Sequence, residues 1–543
     1  MMRNEETKVD VRKFWVRNFK SLKDFELDLE KVNVLVGKNG SGKTNVIEAL
    51  KLLKMIVEYF KGVEVNPFLE WWGYNNVVWR KNERLNIAIG FEYETEIYTE
   101  FLVEPNVRAQ YEITFTGIGG EFNIIKEKVI IPRTIELIKT SSSIEITIKD
   151  ISESICEEIK VESLILSDSK SEIINLRYYL LELLPANIKS LYEPFKNKID
   201  EKKFKKDLIR ELKGFCKVIL NLFKRKIKLK SIYEGFLLEK IVNEYKIAFY
   251  VDNYIEVLDG YITNYIETAM KNKIYELLES SSFRDNYPLL HEIFDYAIAK
   301  KNNTILRVII ELIAYEPLDV LRGRIRLITN AIIGAYIIAN KSVILKKLDY
   351  KSVREPIKLK KEDILTEDGS NLTAVLYSMG KGRIPERIDL AVKYAFGENC
   401  KIGIEPTSDG RAYIKFFEKG IELSPPAIPD GLYKLIALEA ALEYNAPIIA
   451  IDEFENSLYV DVIRYILDEL RNSSSKAILT THSPAVMDFA DPSEIVILKK
   501  DENGETKAYR FKKPQKIQEL LKKEGITPSE YIIYKEMSSD KEL

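Results

Sequence analysis

The segment Gly37-Lys38-Asn39-Gly40-Ser41-Gly42-Lys43-Thr44 fits the pattern GxxxxGK[ST]. Glycines at these spacings let successive backbone N–H groups turn inward around phosphate oxygens, and a helix beginning at the end of the run adds positive dipole. Lys43 supplies a cation for the β- and γ-phosphates, and the Thr44 hydroxyl can ligate magnesium. A glycine-rich turn arising by chance could show the same letters. Here, though, an apolar run, Val32–Val36, precedes them, and a run with Val46, Leu50 and Leu53 on one helical face follows. That strand–loop–helix setting is what the phosphate chemistry requires.

A second chemical signal lies far downstream. Pro447-Ile-Ile-Ala-Ile-Asp452-Glu453 is an apolar run ending in two acids. A buried strand ending there could set Asp452 beside Thr44, to hold magnesium through water, while Glu453 polarises the attacking water. Read alone, the run is equally a strand followed by an acidic turn. Ala477-Ile-Leu-Thr-Thr-His482-Ser483 is another apolar run, ending at one of only two histidines. A neutral imidazole there could hydrogen-bond a γ-phosphate or the attacking water, or it could be a capping or core group. His291, beside Pro288, reads as a core histidine.

These groups must be brought together by strands and helices. Short strands are expected over Val11–Phe19, Phe25–Leu29 and Val32–Val36. From Arg84 to about Leu166, alternating segments such as Leu85–Ile89, Tyr111–Phe115 and Ile144–Ile148 predict antiparallel strands. Between about 170 and 350, apolar residues recur at helical spacing, and Pro185, Pro194, Pro288 and Pro317 cut the pattern into short helices. Beyond 360 an α/β pattern returns. Strands are expected at Lys401–Ile404, Ala412–Phe417, Ile448–Ile451, Ala477–Thr480 and Ile495–Leu498, with helices at 431–444 and 459–471. Residues 495–512 read as a hairpin over Asp501–Gly504. Thr44 and Asp452 stand 408 residues apart yet must meet at one metal ion. The chain therefore divides into residues 1–60 (first part of a head, with the phosphate loop), 61–168 (an antiparallel β lobe), 169–355 (an inserted helical lobe), 356–500 (second part of the head) and 501–543 (hairpin end and helical tail).

Composition excludes several classes. Lys plus Arg number 82 against 84 Asp plus Glu, a balance foreign to a uniformly basic nucleic-acid binder. The three cysteines are dispersed, which argues against a disulfide framework and for a reducing, cytoplasmic setting. The polar start lacks a signal core, and Leu327–Ala339 is too short to span a bilayer, so no membrane partner is expected. Lys202–Lys206, Lys224–Lys230 and Arg322–Arg326 are basic runs that could bind phosphate backbones; ion-paired, solvated helix faces are the commoner origin of such runs.

The order of phosphate loop, Asp452-Glu453, Glu455-Asn-Ser-Leu458 and Thr480-Thr-His-Ser483 resembles the ABC-type ATPase heads of the RecF and SMC class. It resembles more closely the AAA-type ATPases allied to the overcoming-lysogenisation-defect (OLD) proteins. Asn18-Phe-Lys-Ser21, Thr44-Asn45-Val-Ile-Glu-Ala49, Asp368-Gly-Ser-Asn-Leu372 and Asp430-Gly-Leu-Tyr-Lys-Leu435 add to the likeness. The resemblance implies an α/β P-loop NTPase of the ABC-head kind that hydrolyses ATP with Mg2+, with Asn45 counted among the nucleotide-binding positions. It implies a head-to-tail homodimer sandwiching two ATP molecules, each phosphate loop completed by the partner copy's Pro429-Asp430-Gly431 segment. Glu455–Leu458 would touch the opposite copy, and His482 would act as a switch. Two positions depart from the family: Pro429 stands where serine is usual, with Ser424 five residues upstream, and Gln110 is the only glutamine before the signature. The implied work is on DNA or with a nuclease or other effector protein, in repair or defence against mobile elements. The residues after 500 are too few for the nuclease domain of some relatives. A slow nucleotide-gated dimerisation switch is the alternative, and a transporter motor is disfavoured by the motif spacing.

Overall fold

Six runs, most of them short and β-branched, build the sheet that carries the chemistry: β1 (Val32–Val36), β2 (Val343–Leu345), β3 (Ile448–Ile451), β4 (Lys476–Thr480), β5 (Ile495–Lys500) and β6 (Thr506–Tyr509). Every residue of the first four is buried, as expected of parallel strands covered on both faces. Their order is β2-β3-β4-β1-β5-β6. All neighbours are parallel except β5 and β6, which form a hairpin over Asp501–Gly504. The computed structural model describes residues 9–98, 103–148, 192–223, 227–230, 276–299, 324 and 327–537.

Three helices serve the sheet. α1 (Lys43–Phe60) follows the phosphate loop and buries Val46, Leu50 and Leu53 together with Ile47, Leu52, Ile56 and Val57. α2 (Asp430–Glu443) is buried continuously from Leu432 to Leu442, which explains its lack of an amphipathic pattern. α3 (Val460–Asn472) is amphipathic, turning Val462, Ile463, Ile466, Leu467 and Leu470 inward. Beside them a small antiparallel sheet orders Ile357–Lys358, Arg411–Glu418 and Cys400–Pro406, with Ile421–Leu423 on the long strand. The predicted strands and helices of this half lie within a residue or two of their observed ends.

Two compact units divide the chain. The first takes the described residues up to Glu127 and from Ile332 onward; the second takes those between Lys128 and Ala331 that lie in 128–148, 192–230 and 276–331. The first unit also holds antiparallel strands in the order Leu22–Asp28, Val9–Phe19, Ile87–Tyr98, Val103–Thr116. In the second unit, Ile135–Thr140, Ser143–Ile148 and Ile227–Lys230 pair antiparallel, and helices run over Glu201–Phe223, Ser281–Asn286 and Pro288–Ala299. The strand at Ile227–Lys230 differs from the helical reading of that stretch; its Ile-Lys-Leu-Lys alternation has the period of a strand, not of a helix. Lys202, Lys203 and Lys206 are exposed around buried Phe204, the pattern of a solvated helix face. Residues 224–226 and most of the basic run at 322–326 lie outside the described residues. His291 is buried, with Nδ1 3.2 Å from an Asp295 carboxylate oxygen and Nε2 accepting from Arg284 Nε at 3.3 Å. Among the described residues no helix is long and apolar enough to cross a membrane.

Candidate functional site

β4 lies between β1 and β3, with Thr480 opposite Leu35 and Leu479 opposite Ile451. The three strands therefore end on one edge, and the phosphate loop, Asp452-Glu453 and Thr481-His482 leave from it together. Open parallel sheets bind ligands at this carboxyl edge. The two ends of the chain meet there: Thr44 Oγ1 donates to Asp452 Oδ1 at 3.3 Å. Thr480 Oγ1 donates to the same oxygen and accepts from the Glu453 N–H at 2.9 Å. Thr480 belongs to a family-like motif, but the motif assigns it no role; its signal is a polar residue closing a buried strand.

The phosphate loop is shaped for an anion. Lys43 Nζ is buried and donates to the carbonyls of Gly37 at 2.8 Å and Lys38 at 3.2 Å. Ser41 Oγ is buried with no hydrogen-bond partner, and no side chain caps the start of α1. A buried orphan hydroxyl, a lysine folded onto loop carbonyls and an uncapped helix start fit a triphosphate that would take up these donors. Lys38, Asn39 and Gly40 form the exposed rim. Gly42 has φ +103°, and a Cβ there would stand 2.3 Å from Thr506 Oγ1. Thr506 Oγ1 donates to the Ser41 carbonyl at 2.8 Å and lies 2.7 Å from Ser21 Oγ. Ser21 in turn accepts from Asn45 Nδ2 at 2.7 Å. Asn45 thus braces the loop from behind, through Ser21, which closes the family-like Asn18–Ser21 stretch, and Thr506, which no motif advertised. Thr44 and Asp452 offer the hard oxygen donors magnesium prefers.

Glu453 is exposed and sits at φ +47°, a left-handed backbone that a non-glycine residue adopts at a cost of about 1–3 kcal/mol. Buried Phe454 anchors the turn through its N–H to the Thr480 carbonyl at 3.0 Å. The Glu453 carboxylate accepts from Asn456 Nδ2. Glu455 uses both oxygens, accepting from Thr481 Oγ1 at 2.8 Å and from the His482 N–H at 2.9 Å. The His482 side chain is exposed on this edge. Lys434, from α2, is buried; burial pushes its amine down to about 8, while Glu455, then Asp452 and Glu453, pull it upward.

The signature segment is built differently. Pro429 is the N-cap of α2 and has no hydroxyl to offer. Asp430 is ion-paired with Arg354, whose guanidinium also donates to the carbonyls of Pro425 at 3.1 Å and Ile428 at 2.9 Å and lies 5.4 Å from the Tyr433 ring. Gly431 passes so close to the 453–458 loop that a Cβ would stand 2.5 Å from the Ser457 carbonyl oxygen. Ser424 is exposed ahead of this segment. Gln110 lies in the strand Val103–Thr116 and donates to Glu92 at 2.6 Å; none of its described contacts reaches the phosphate loop.

Two family models match the chain. One, described as an AAA ATPase domain, matches residues 10–371. The other, described as an AAA domain, putative AbiEii toxin, Type IV TA system, matches residues 341–488. No curated protein matches. Among solved structures, the chain is similar to an Smc head domain with an extended coiled coil bound to the C-terminal domain of ScpA, from Pyrococcus furiosus, at 14% identity and a TM-score of 0.35, covering 95% of this chain and 100% of that one. An Smc head domain with a coiled coil and joint, from Pyrococcus yayanosii, gives the same values.

Proposed function

The chain belongs to the AAA ATPase domain family, and from that membership we propose that it binds ATP with magnesium at the carboxyl edge of the parallel sheet and hydrolyses it. The reading rests above all on the meeting of Thr44 and Asp452 at 3.3 Å across 408 residues of sequence. Lys43 and the loop N–H groups would hold the β- and γ-phosphates, and Thr44 with Asp452 would hold the magnesium. That ion supplies charge neutralisation across the phosphate oxygens when bound. Glu453, held out by its left-handed turn, orients and polarises the attacking water, and His482 hydrogen-bonds near the terminal phosphate. Two copies pair head to tail, so that Asp430 and Gly431 of one copy complete the nucleotide site of the other.

Single-turnover hydrolysis tests this. Glu453→Gln is expected to slow the chemical step by about 100-fold or more while ATP still binds, and the trapped variant should double in mass with ATP. Hydrolysis as fast in Glu453→Gln as in wild type would sink it. One observation favours a second reading, a slow dimerisation switch: Pro429 brings no hydroxyl and Asp430 is already paired with Arg354. Equal, slow turnover in both proteins with ATP-driven doubling of mass would select that reading. The cellular role we place in defence against mobile elements or DNA repair, in the cytoplasm, beside a nuclease or other effector. Support comes from the OLD-type motif order and from the family model whose description names a putative toxin.

A further inference from the structure

Away from the nucleotide site, exposed apolar side chains gather along one stretch: Val63, Val65, Leu69, Trp72 and, from a neighbouring turn, Ile118. The Trp72 N–H donates to the Leu69 carbonyl at 2.9 Å. Asn66, next to Val65, donates through Nδ2 to the Gly120 carbonyl at 2.7 Å, which lays the Ile118–Gly120 turn against the segment. Trp72 is 90% exposed, on a left-handed backbone at φ +62° that bulky side chains rarely adopt. The base beneath it is firm. Phe68 is buried against the rings of Tyr74, Phe115 and Phe122, with centroids 5.0, 6.2 and 5.9 Å away. Glu70 is ion-paired with Lys51 of α1, which also holds Glu367 at 2.7 Å. A lone exposed apolar residue needs no explanation, but an indole thrown outward by its backbone from a packed base has the form of an interface anchor.

We propose that this patch pairs with the same patch of a second copy of the chain, without nucleotide, and with Trp72 as its anchor. Area and charge select that occupant. The exposed side chains offer on the order of 500 Å² per copy. Two such patches across a two-fold axis, with the polar rim that surrounds any apolar interface core, reach the roughly 1,200 Å² at which specific pairs become stable. A two-fold axis also brings a residue near it opposite its own copy, so like charges meet there. Only a patch whose charges are neutralised within the copy tolerates this. Here Glu58 pairs with Lys61 at 2.7 Å and Glu70 with Lys51, which leaves apolar side chains as the means of recognition. The inference goes beyond the ATPase reading: it uses none of the residues of the head-to-tail pairing and holds whether or not ATP is hydrolysed.

Sedimentation of the full-length protein without nucleotide tests this. Wild type should run as a pair, and Trp72→Ala should weaken the pairing by about 30-fold or more. Leu69→Glu sets two carboxylates face to face and should dissociate it as well. Both positions are exposed, so both variants should melt with wild type. Ile421→Ala removes similarly exposed apolar surface from the small sheet and should leave the pair intact. A wild type that stays monomeric at about 100 μM overturns the inference. So does pairing that survives both patch substitutions, or that is lost equally in Ile421→Ala. The head-to-tail reading fails separately: Trp72→Ala combined with Glu453→Gln should still double in mass with ATP, from one copy to two. Nucleotide-free pairing in wild type without that ATP-driven doubling would overturn the head-to-tail reading alone.

Discussion

The phosphate loop and the signature segment each bury a hydroxyl without a partner, Ser41 Oγ and Tyr433 Oη, but treat their charged side chains differently. Around the loop, polar atoms wait: Ser41 Oγ is buried without a partner, Lys43 leans on loop carbonyls, and the start of α1 is uncapped. At the signature segment the charged side chain is consumed, although the buried Tyr433 Oη beside it has no partner. Asp430 is bound by Arg354, and Arg354 by Pro425, Ile428 and the face of Tyr433. A group that must grip an anion profits from unsatisfied donors held in place by the fold. Under the proposed head-to-tail pairing, a segment that presents its backbone to another copy would profit from stiffness. On the proposed function, one half of the site would act as a receptor and the other as a rigid stamp.

The largest effect should come from the receptor half. Lys43→Ala removes the buried cation from the loop, and the affinity for a fluorescent ATP analogue should fall by about 100-fold or more. An affinity within a few-fold of wild type would mean that the loop does not grip phosphate. Next is Gly42→Ala. The new Cβ would meet Thr506 Oγ1 at 2.3 Å on a backbone at φ +103°, so denaturant unfolding should show a loss of about 2–4 kcal/mol. A stability unchanged within error would show that β6 does not brace the loop.

The stamp half should respond in stability instead of affinity. Arg354→Ala strips the hydrogen bonds to Pro425 and Ile428 and frees Asp430, which should cost about 1–3 kcal/mol of folding stability. ATP-analogue affinity should stay within about twofold, because the phosphate loop is untouched. A loss of affinity matching that of Lys43→Ala would erase the contrast between the halves.

How much of this was legible in the letters follows from how local each cause is. The phosphate loop, Asp452 and the strands Val32–Val36, Ile448–Ile451 and Lys476–Thr480 could be read because pattern and chemistry sit in consecutive residues. The helix expected at 431–444 is displaced by only one residue from Asp430–Glu443. The braces were illegible. Ser21 and Thr506 meet across 485 positions; Ser21 closes a family-like stretch that assigns it no partner, and Thr506 is an ordinary hydroxyl in an ordinary strand. Arg354 lies outside every motif, and nothing in its neighbours announces the pairing with Asp430. The strand at Ile227–Lys230 is masked in the sequence by the helical pattern around it.

The smallest effect also belongs to the signature helix and sets the stamp reading on a pH axis. Glu439 is fully buried on α2, paired with Arg387 at 2.7 Å, and one of its oxygens has no partner. Burial outweighs the arginine and pushes its carboxyl from 4.5 up to about 7. The folded chain therefore binds this proton more tightly than the unfolded one. Between pH 4.5 and about 7 the native state carries more of it, so this group's contribution to stability declines as pH rises through that window. Below 4.5 both states are protonated and nothing is lost. Glu439→Gln cannot titrate, so its stability measured from about pH 5 to 7 should fall less steeply than that of wild type. The two slopes should differ by no more than about 1.4 kcal/mol per pH unit. Arg387 keeps Glu469 as a partner in the variant, so the offset between the curves reports packing while the difference in slope reports the proton. Parallel curves would mean that Glu439 is ionised across the whole range, and that α2 holds a charge in its interior instead of a neutral, rigid contact.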